Sequence, residues 1–563
     1  MKNNDASNIK LASHYWIEIE SSETEILPLN ALVIDAITLG EGRRDLTRDF
    51  IGAGPRMVAA TIRARNHQVQ LVRGEDFLRD NGGMASTFDA CFISGMTMDR
   101  PSIVAIARAW KKANGGKPVI VGGPAALEPG MLLRMPDIDA AVPGEAEQIL
   151  FGALAGEDMP NFAISLPSGF ITRSNVASVQ DVRFTGENWP DLAFIEQKIP
   201  PSIDLLAKYD NYWAARVYVE CVRGCSNYTR SRIGPGGNQA CKDCGHCDTG
   251  NEFRVDFPCV ANIKPGCGFC STAAISGPVR SFGEAYIVDQ VGNCIDLGCH
   301  RIVLGGSDFL EYQREKLIPK GCSRPGIPPP PNHDVLHSLV TRLVDFGPVR
   351  RGDVQLFVEN IKASLCDDEA LRTLAMIPGI SVSIGVETGS DEHLKQIGKA
   401  TTVATIKQAV ALLKKYRIRY HAYFIHSLPG QTPQTVKESI DLMRWLEGEG
   451  AEKITIYRFK PLPGTAFEHH RVAKKFLDDA EPEVQEAMRI NEAGKEKYLN
   501  KAYKVLIAEQ DFRDKSAAIA YILQGGPKVK LPKCKHLVND KKVHVARITR
   551  VISDKVVEGA LVE

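Results

Sequence analysis

The sequence predicts an α/β protein of three parts: an N-terminal doubly wound parallel sheet, a central full or partial β/α barrel, and a small C-terminal β-barrel. Three observations carry this. Short apolar runs alternate with helical stretches over residues 30–155. The alternation returns between Arg216 and Glu468. Beyond residue 503 it gives way to β-rich segments. Short buried strands spaced by helices belong to parallel sheets covered on both faces.

In the first part (1–155), Ala31–Ile37 is a β-rich apolar run, Gly54–Arg65 is helical and Gln68–Val72 is a short strand. Ala90–Ile93, Pro118–Val121 and Ala140–Val142 are further buried strands, with the helix Ile103–Asn114 among them. Ligands of such sheets sit beyond the strand carboxyl ends. Small residues fall there: Ser94-Gly95, Gly122-Gly123-Pro124 and Gly144-Glu145. Residues 156–210 read as a linker. Barrel strands (within 211–468) are predicted at Arg216–Glu220, Arg301–Leu304, Gln355–Glu359, Ser381–Gly385, Arg419–Ile425 and Lys453–Tyr457. A β/α barrel keeps its active site at the strand carboxyl ends. A cysteine-rich insert (221–258) and a loop around Pro325–Pro331, where proline bars a helix, interrupt it. Residues 469–502 read as a charged helical connector. The terminal barrel (503–563) shows strands at Lys504–Ala508, Val543–Ile552 and Val556–Val562.

Composition narrows the function classes. With 69 Lys and Arg against 68 Asp and Glu, the formal net charge of +1 gives the whole chain no bias toward nucleic acid or anionic membrane. Met1–Glu20 lacks the apolar core of a signal peptide, and runs such as Ala31–Leu39 are too short to cross a bilayer. A cytoplasmic protein is expected. Eight of the 14 cysteines lie between Cys221 and Cys270, while residues 1–200 hold only Cys91. Clustering of this kind points to metal or iron–sulfur ligation rather than to disulfides.

The sharpest motif is Cys259-x7-Cys267-x2-Cys270, ending Pro-Gly-Cys-Gly-Phe-Cys-Ser. Three thiolates can hold three irons of a [4Fe-4S] cluster and leave the fourth open. The motif resembles that of the radical S-adenosylmethionine (SAM) superfamily, usually C-x3-C-x2-C with an aromatic residue, here Phe269, before the last cysteine. The first spacing is wider than usual. Arg216–Cys225 also resembles that superfamily's first barrel strand and its Arg-Gly-Cys, so Cys225 competes with the favoured Cys259 for the first ligand. Leu304-Gly305-Gly306-Ser307, Val358-Glu359-Asn360 and Gly385-Val386-Glu387-Thr388-Gly389-Ser390 fall at later strand ends. The resemblance implies SAM contacts from Phe269, Gly305, Gly306, Ser307, Asn360 and Glu387. Leu428-Pro429-Gly430-Gln431-Thr432 and Pro461-Leu462-Pro463-Gly464-Thr465 match further motifs, with Gln431 departing from the usual Glu.

Cys241-x2-Cys244-x2-Cys247 has metal-site spacing and needs one more thiolate, from Cys221 or Cys225, to close a four-cysteine shell. Zinc and a second iron–sulfur cluster are both open. The N-terminal part resembles the cobalamin-binding domains that precede many radical SAM enzymes, through Val121-Gly122-Gly123-Pro124 and Pro143-Gly144-Glu145-Ala146-Glu147. That resemblance implies corrin contacts from Ile37, Thr38, Ser94, Gly95, Met96, Thr97, Gly122, Gly123, Pro124, Gly144 and Glu145. Cobalamin domains with Asp-x-His-x-x-Gly ligate cobalt through the histidine. Ile37 stands there in Asp35–Gly40 and cannot ligate, so no protein ligand is expected below cobalt. The terminal segment resembles the small TRAM β-barrel through Lys504–Glu509, Val543–Thr549 and Glu558–Val562. Lysines 528, 530, 533, 535, 541 and 542 would give it a basic face, for RNA phosphates or for solvent.

Together these motifs resemble the class B cobalamin-dependent radical SAM methyltransferases, the archaeal glutamine C-methyltransferases of methyl-coenzyme M reductase among them. The resemblance implies a 5′-deoxyadenosyl radical that abstracts hydrogen from an sp3 carbon, methylcobalamin as donor, and a second SAM that remethylates it. It also implies an external electron donor and a macromolecular substrate, protein before RNA. A ring-forming or rearranging cobalamin radical enzyme is the alternative, with RNA or small-molecule methylation beside it. A methylthiotransferase needs three cluster cysteines in its N-terminal domain and is disfavoured, because only Cys91 precedes Cys221. A cobalamin sensor would not need the cysteine triad.

Overall fold

The computed structural model describes residues 28–37, 48–154, 170–177, 189–227, 229–234, 241–242, 244, 259–317, 329–471 and 481–562. The chain opens with β1 (Asn30–Asp35), β2 (Phe50–Ile51), β3 (Gln68–Arg73), β4 (Ala90–Ser94), β5 (Val119–Gly122), β6 (Ala140–Val142) and β7 (Ile171–Thr172). All but β2 form one sheet in the order β3-β1-β4-β5-β6-β7, parallel except for β7. In β1 successive side chains serve opposite faces. Ala31 and Val33 pack with Met57, Ala60 and Ile62 of the helix Gly54–Arg63. Leu32 and Ile34 pack with Ile103, Ile106 and Trp110 of the helix Arg100–Asn114. Chain order reverses between β1 and β4, and a crevice opens beyond their carboxyl ends.

The expected linker carries structure. β7 extends the sheet antiparallel to β6, and Leu192–Lys198 is a helix whose N-cap Asp191 accepts from the Ala193 amide.

β8 (Arg216–Glu220) is followed by β9 (Val222–Arg223), which pairs antiparallel with β10 (Arg280–Ser281). β8, β11 (Arg301–Gly305) and β12 (Gln355–Val358) run parallel, as do β13 (Ser381–Glu387), β14 (Arg419–His426) and β15 (Lys453–Arg458). A bridge between Ile361 and Ile384 joins the two sets. All six predicted barrel strands are present. β2, from the N-terminal part, adds an outer strand against β8, with Phe50 opposite Arg216. The two α/β parts are therefore stitched together by backbone as well as side chains.

β16 (Ala502–Gln510), β17 (Ala518–Ile522), β18 (Lys528–Leu531), β19 (Val543–Val551) and β20 (Val556–Leu561) close a barrel in the order β16-β17-β18-β20-β19. Its core is formed by alternate residues, among them Val505, Ile507, Ala518, Ala520, Val529, Leu531 and Ile548. The basic face is partly neutralised: Lys528 lies 3.7 Å from Glu509 and Lys530 lies 3.4 Å from Asp514. Among the described residues no helix is long and apolar enough to cross a membrane.

Candidate cofactor site

The cysteine loop leaves the carboxyl end of β8. The Cys221 amide donates to the Gly305 carbonyl (2.8 Å) and the Cys225 amide to the Gly277 carbonyl (3.1 Å). Between them Gly224 sits at φ +80°, and a Cβ there would lie 2.0 Å from the Pro278 carbonyl oxygen, so only glycine fits. Asn227 then ties two thiols together. Its backbone N–H donates to Cys225 Sγ (3.4 Å), and its side-chain amide donates to Cys267 Sγ (3.1 Å) and to the Gly398 carbonyl (3.0 Å). Cys270 closes a turn on Cys267, amide to carbonyl at 2.9 Å. The structure thus gathers Cys225, Cys267 and Cys270.

Cys259, the favoured first ligand, lies elsewhere. It packs with Cys241 and Phe269 against Ala261, Ile263, Leu428 and Phe467. The thiol that neighbours Cys267 in space is that of Cys225, and the cysteine-rich segment separates the two in sequence. Cys221 is turned away from the other thiols. It is fully buried in the main core and donates to the Val219 carbonyl (3.7 Å). Cys241 and Cys244 are partly buried, and Cys247 lies outside the described residues. Among the described residues no three His, Cys, Asp or Glu side chains are grouped for a metal ion. An iron–sulfur cluster spreads its thiolates over several irons, so its ligands need not converge on one point.

Two half-buried ammonium groups flank the thiols. Burial pushes the Cys225 thiol above its ordinary range, against the pull of Lys362. Burial likewise holds Cys267 up at about 12, against the pull of Lys399. Burial opposes the charge of Lys399 too, but Glu387 at 2.8 Å and Cys267 outweigh it and raise its pKa. Burial of Lys362 is likewise outweighed, by Cys225, Glu311 and Asp308. Cations beside thiols favour thiolates, the form that binds iron. Neither lysine carries a signal in the sequence, and Asn227 is an ordinary loop residue there.

The strand-end motifs hold the cysteine loop as well as surround it. Ser307 donates its hydroxyl to the Gly224 carbonyl, so its side chain is engaged with the loop. A Cβ on Gly306 would meet Val222 at 3.1 Å. The Asn360 carbonyl accepts from the Phe309 amide at 3.0 Å. Glu387 is buried at φ +66°, a conformation costly for a non-glycine residue and common at functional sites. Gly385 makes room for it: a Cβ there would lie 2.6 Å from the Glu387 carboxylate and 2.9 Å from Lys399 Nζ. His393 joins Thr388 Oγ1 (3.2 Å) to the Pro429 carbonyl (2.9 Å), tying the Gly-Val-Glu-Thr-Gly-Ser and Leu-Pro-Gly segments together.

The N-terminal crevice meets this loop. Gly144, beyond β6, has its Cβ position 3.7 Å from the Ile275 carbonyl, just past Cys270. Glu145 is no free corrin contact: its carboxylate pairs with Arg223 (3.0 Å) and with Arg280. Glu147 pairs with Arg223 at 2.6 Å. Gly95 and Gly123 serve backbone packing, since a Cβ on Gly123 would lie 2.7 Å from the Gly95 carbonyl. Thr97 donates to the Pro124 carbonyl at 3.3 Å, whereas Met96 (43% exposed) and Met98 (46%) present apolar surface at the same strand end. Asp35 accepts from Tyr209 Oη at 3.1 Å, Ile37 is buried beside it, and Thr38 lies outside the described residues.

Residues 262–443 match the Radical SAM superfamily. The uncharacterized protein MK0932 of Methanopyrus kandleri is 36% identical over 537 residues, covering 95% of this chain and 96% of that protein. The uncharacterized protein MJ1620 of Methanocaldococcus jannaschii is 32% identical, covering 95% and 99%. The radical SAM methyltransferase TsrM of Kitasatospora setae, solved with cobalamin and a [4Fe-4S] cluster bound, shares the fold at TM-score 0.52 and 14% identity, covering 78% of this chain and 77% of that one.

Proposed function

The chain belongs to one family with the MK0932 protein and is an enzyme with a radical SAM domain, and we propose that it is a cobalamin-dependent C-methyltransferase acting on an unactivated sp3 carbon. One observation carries the reading: the crevice of the N-terminal sheet opens against the loop that gathers Cys225, Cys267 and Cys270, and the Glu145–Arg223–Glu147 pairs hold the two together. The residues fit both groups. Three thiols with flanking ammonium groups suit a [4Fe-4S] cluster, and a glycine-lined crevice with exposed methionines and no histidine at Ile37 suits a corrin without a protein ligand below cobalt.

When bound, the cluster would supply the electron that cleaves SAM, and the corrin would supply the methyl group. The chain's own part is positional. Cys225, Cys267 and Cys270 hold the cluster, and Asn227 fixes the spacing of two of them. Lys399 and Glu387 line the strand end where SAM would lie, and Gly305-Gly306 lets it approach the backbone. Docking of the N-terminal sheet over this loop would exclude water and bring the two cofactor sites together.

The substrate in this reading is macromolecular, protein before RNA, with a glutamine of methyl-coenzyme M reductase as the lead. It rests on the resemblance and on the TRAM-like terminal barrel. Cys259, free of the cluster, shares its packing with Cys241. We assign both, with Cys244 and Cys247 by spacing, to the second metal, zinc or iron–sulfur. The test is incubation with reductant, cobalamin and deuterated SAM, then mass spectrometry of peptides. One 5′-deoxyadenosine and one S-adenosylhomocysteine per methylated peptide are expected. A product that gains sulfur, or one found only on a free small molecule, overturns the proposal.

A further inference from the structure

A second cleft lies at the opposite end of the barrel from the cysteines. It is bounded by Gly379, Ile418 and Glu452, which precede β13, β14 and β15, and roofed by Tyr503, Gln524 and Gly525 of the terminal barrel. Its volume is about 520 Å³, the size of a cleft that takes a small organic ligand. β/α barrels react at the carboxyl ends of their strands, so this is not the site described above.

The cleft's charges do not cancel. Five cations line it, Lys414, Arg417, Arg419, Lys497 and Lys501, against two carboxylates, Glu449 and Glu452. Both carboxylates are engaged. Lys414 pairs with Glu449 at 2.9 Å. Arg419 lies 3.5 Å from Glu452 while donating to the Gly379 carbonyl at 3.0 Å. Arg417, Lys497 and Lys501 form no ion pair among the described residues. Arg417 is also an unusual choice for its position. It follows the helix Val403–Lys415 at φ +56°, in the left-handed conformation that normally selects glycine or asparagine. Keeping arginine there costs backbone strain, and the residue lines the cleft. Partial burial, Arg419 and Lys501 lower the pKa of Lys497 despite Glu452, a repulsion that a bound anion would relieve. Tyr503 stands half-buried at the wall, 5.4 Å from Tyr498.

We propose that this cleft binds a nucleotide, its phosphates on Arg417, Lys497 and Lys501 and its base against Tyr503. The nucleotide is either free or part of a single RNA strand; both offer the same phosphate and base. The test is calorimetric titration of the full chain with ATP, with oligouridylate and with polyglutamate. Arg417→Gly keeps the left-handed turn and removes the charge, and Lys497→Gln/Lys501→Gln removes the other two. Saturable binding of ATP that weakens roughly tenfold or more in both variants, and not in the distant Lys112→Gln, supports the free nucleotide. The same pattern with oligouridylate alone supports the strand. No saturable binding of either, binding undiminished in both variants, or equal binding of polyglutamate overturns the proposal.

Discussion

Arg223→Met tests how the N-terminal sheet is held over the cysteine loop. The guanidinium is buried and meets Glu145 at 3.0 Å, Glu147 at 2.6 Å and Glu220 at 2.7 Å. Removing it strands these carboxylates unequally. Glu220 is partly exposed and can hydrate, and Glu145 keeps Arg280. Glu147 is buried and loses its close partner. Breaking a buried pair from one side costs about 3–5 kcal/mol, and with one carboxylate fully stranded the lower end, about 3 kcal/mol, is expected. Urea unfolding at pH 7 measures it, with hydrogen exchange of residues 140–153 reporting the docked loop. The double variant Arg223→Met/Glu147→Gln should recover part of the loss, because no charge is then left buried.

The pH dependence gives this prediction its sign. Burial raises the Glu147 pKa, but Arg223 outweighs it and the net shift is downward. A depressed folded pKa contributes stability that is fully present above the unfolded value of about 4.3 and lost as pH falls through the folded one. Without Arg223, burial is opposed only by a backbone hydrogen bond and by Arg280, so Glu147 takes up a proton more readily. The deficit of Arg223→Met should therefore narrow as pH is lowered toward 5. A cost under about 0.5 kcal/mol, or a deficit that widens on acidification, refutes the reasoning.

Three further outcomes follow from the site. Cys225→Ala, like Cys267→Ala or Cys270→Ala, should abolish the reconstituted cluster's absorbance and iron content, whereas Cys259→Ala should retain the SAM cluster; the reverse pair of results returns Cys259 to the ligand set. Gly385→Ala places a methyl 2.6 Å from the Glu387 carboxylate and should lower stability by about 1–3 kcal/mol in thermal unfolding, with no loss if the Glu387–Lys399 pair is absent in solution. Electron paramagnetic resonance of the cob(II)alamin-loaded protein should show no nitrogen splitting from a lower ligand, because Ile37 occupies that position; such a splitting would place a histidine or the corrin's own base below cobalt.

Many of the parallel strands were legible as apolar runs buried on both faces, while β8 and β14 alternate. Runs such as Ile302–Leu304 and Val382–Ile384 have no exposed position to interrupt the pattern. β17 and β18 escaped for other reasons. Ala518-Ile519-Ala520-Tyr521-Ile522 spends two core positions on alanine, a poor strand former, and Lys528–Leu531 alternates over only four residues. β2 is two residues long and is a strand only because β8 lies beside it, which no local window can register.

The sequence favours Cys259 as the companion of Cys267 and Cys270, whereas the fold brings Cys225 beside them, and the cause is physical. Spacing rules assume that ligands near in sequence are near in space, which holds for Cys267 and Cys270 within one turn. An insert breaks that assumption without disturbing the geometry, because its two ends return to adjacent backbone. The Gly266 amide donates to the Thr229 carbonyl at 2.8 Å, and Arg230 bridges to Pro265. The loop from Cys225 thus resumes at Cys267 as though nothing intervened. Arg-Gly-Cys at the end of β8 held the needed signal, since Gly224 is fixed by contact with Pro278 and Arg223 by the carboxylates of the N-terminal sheet. A cysteine whose preceding residues are pinned by separate parts of the fold is held in place from outside its own loop, whereas Cys259 is held by apolar packing and one local turn, the Asn262 amide donating to its carbonyl at 2.9 Å.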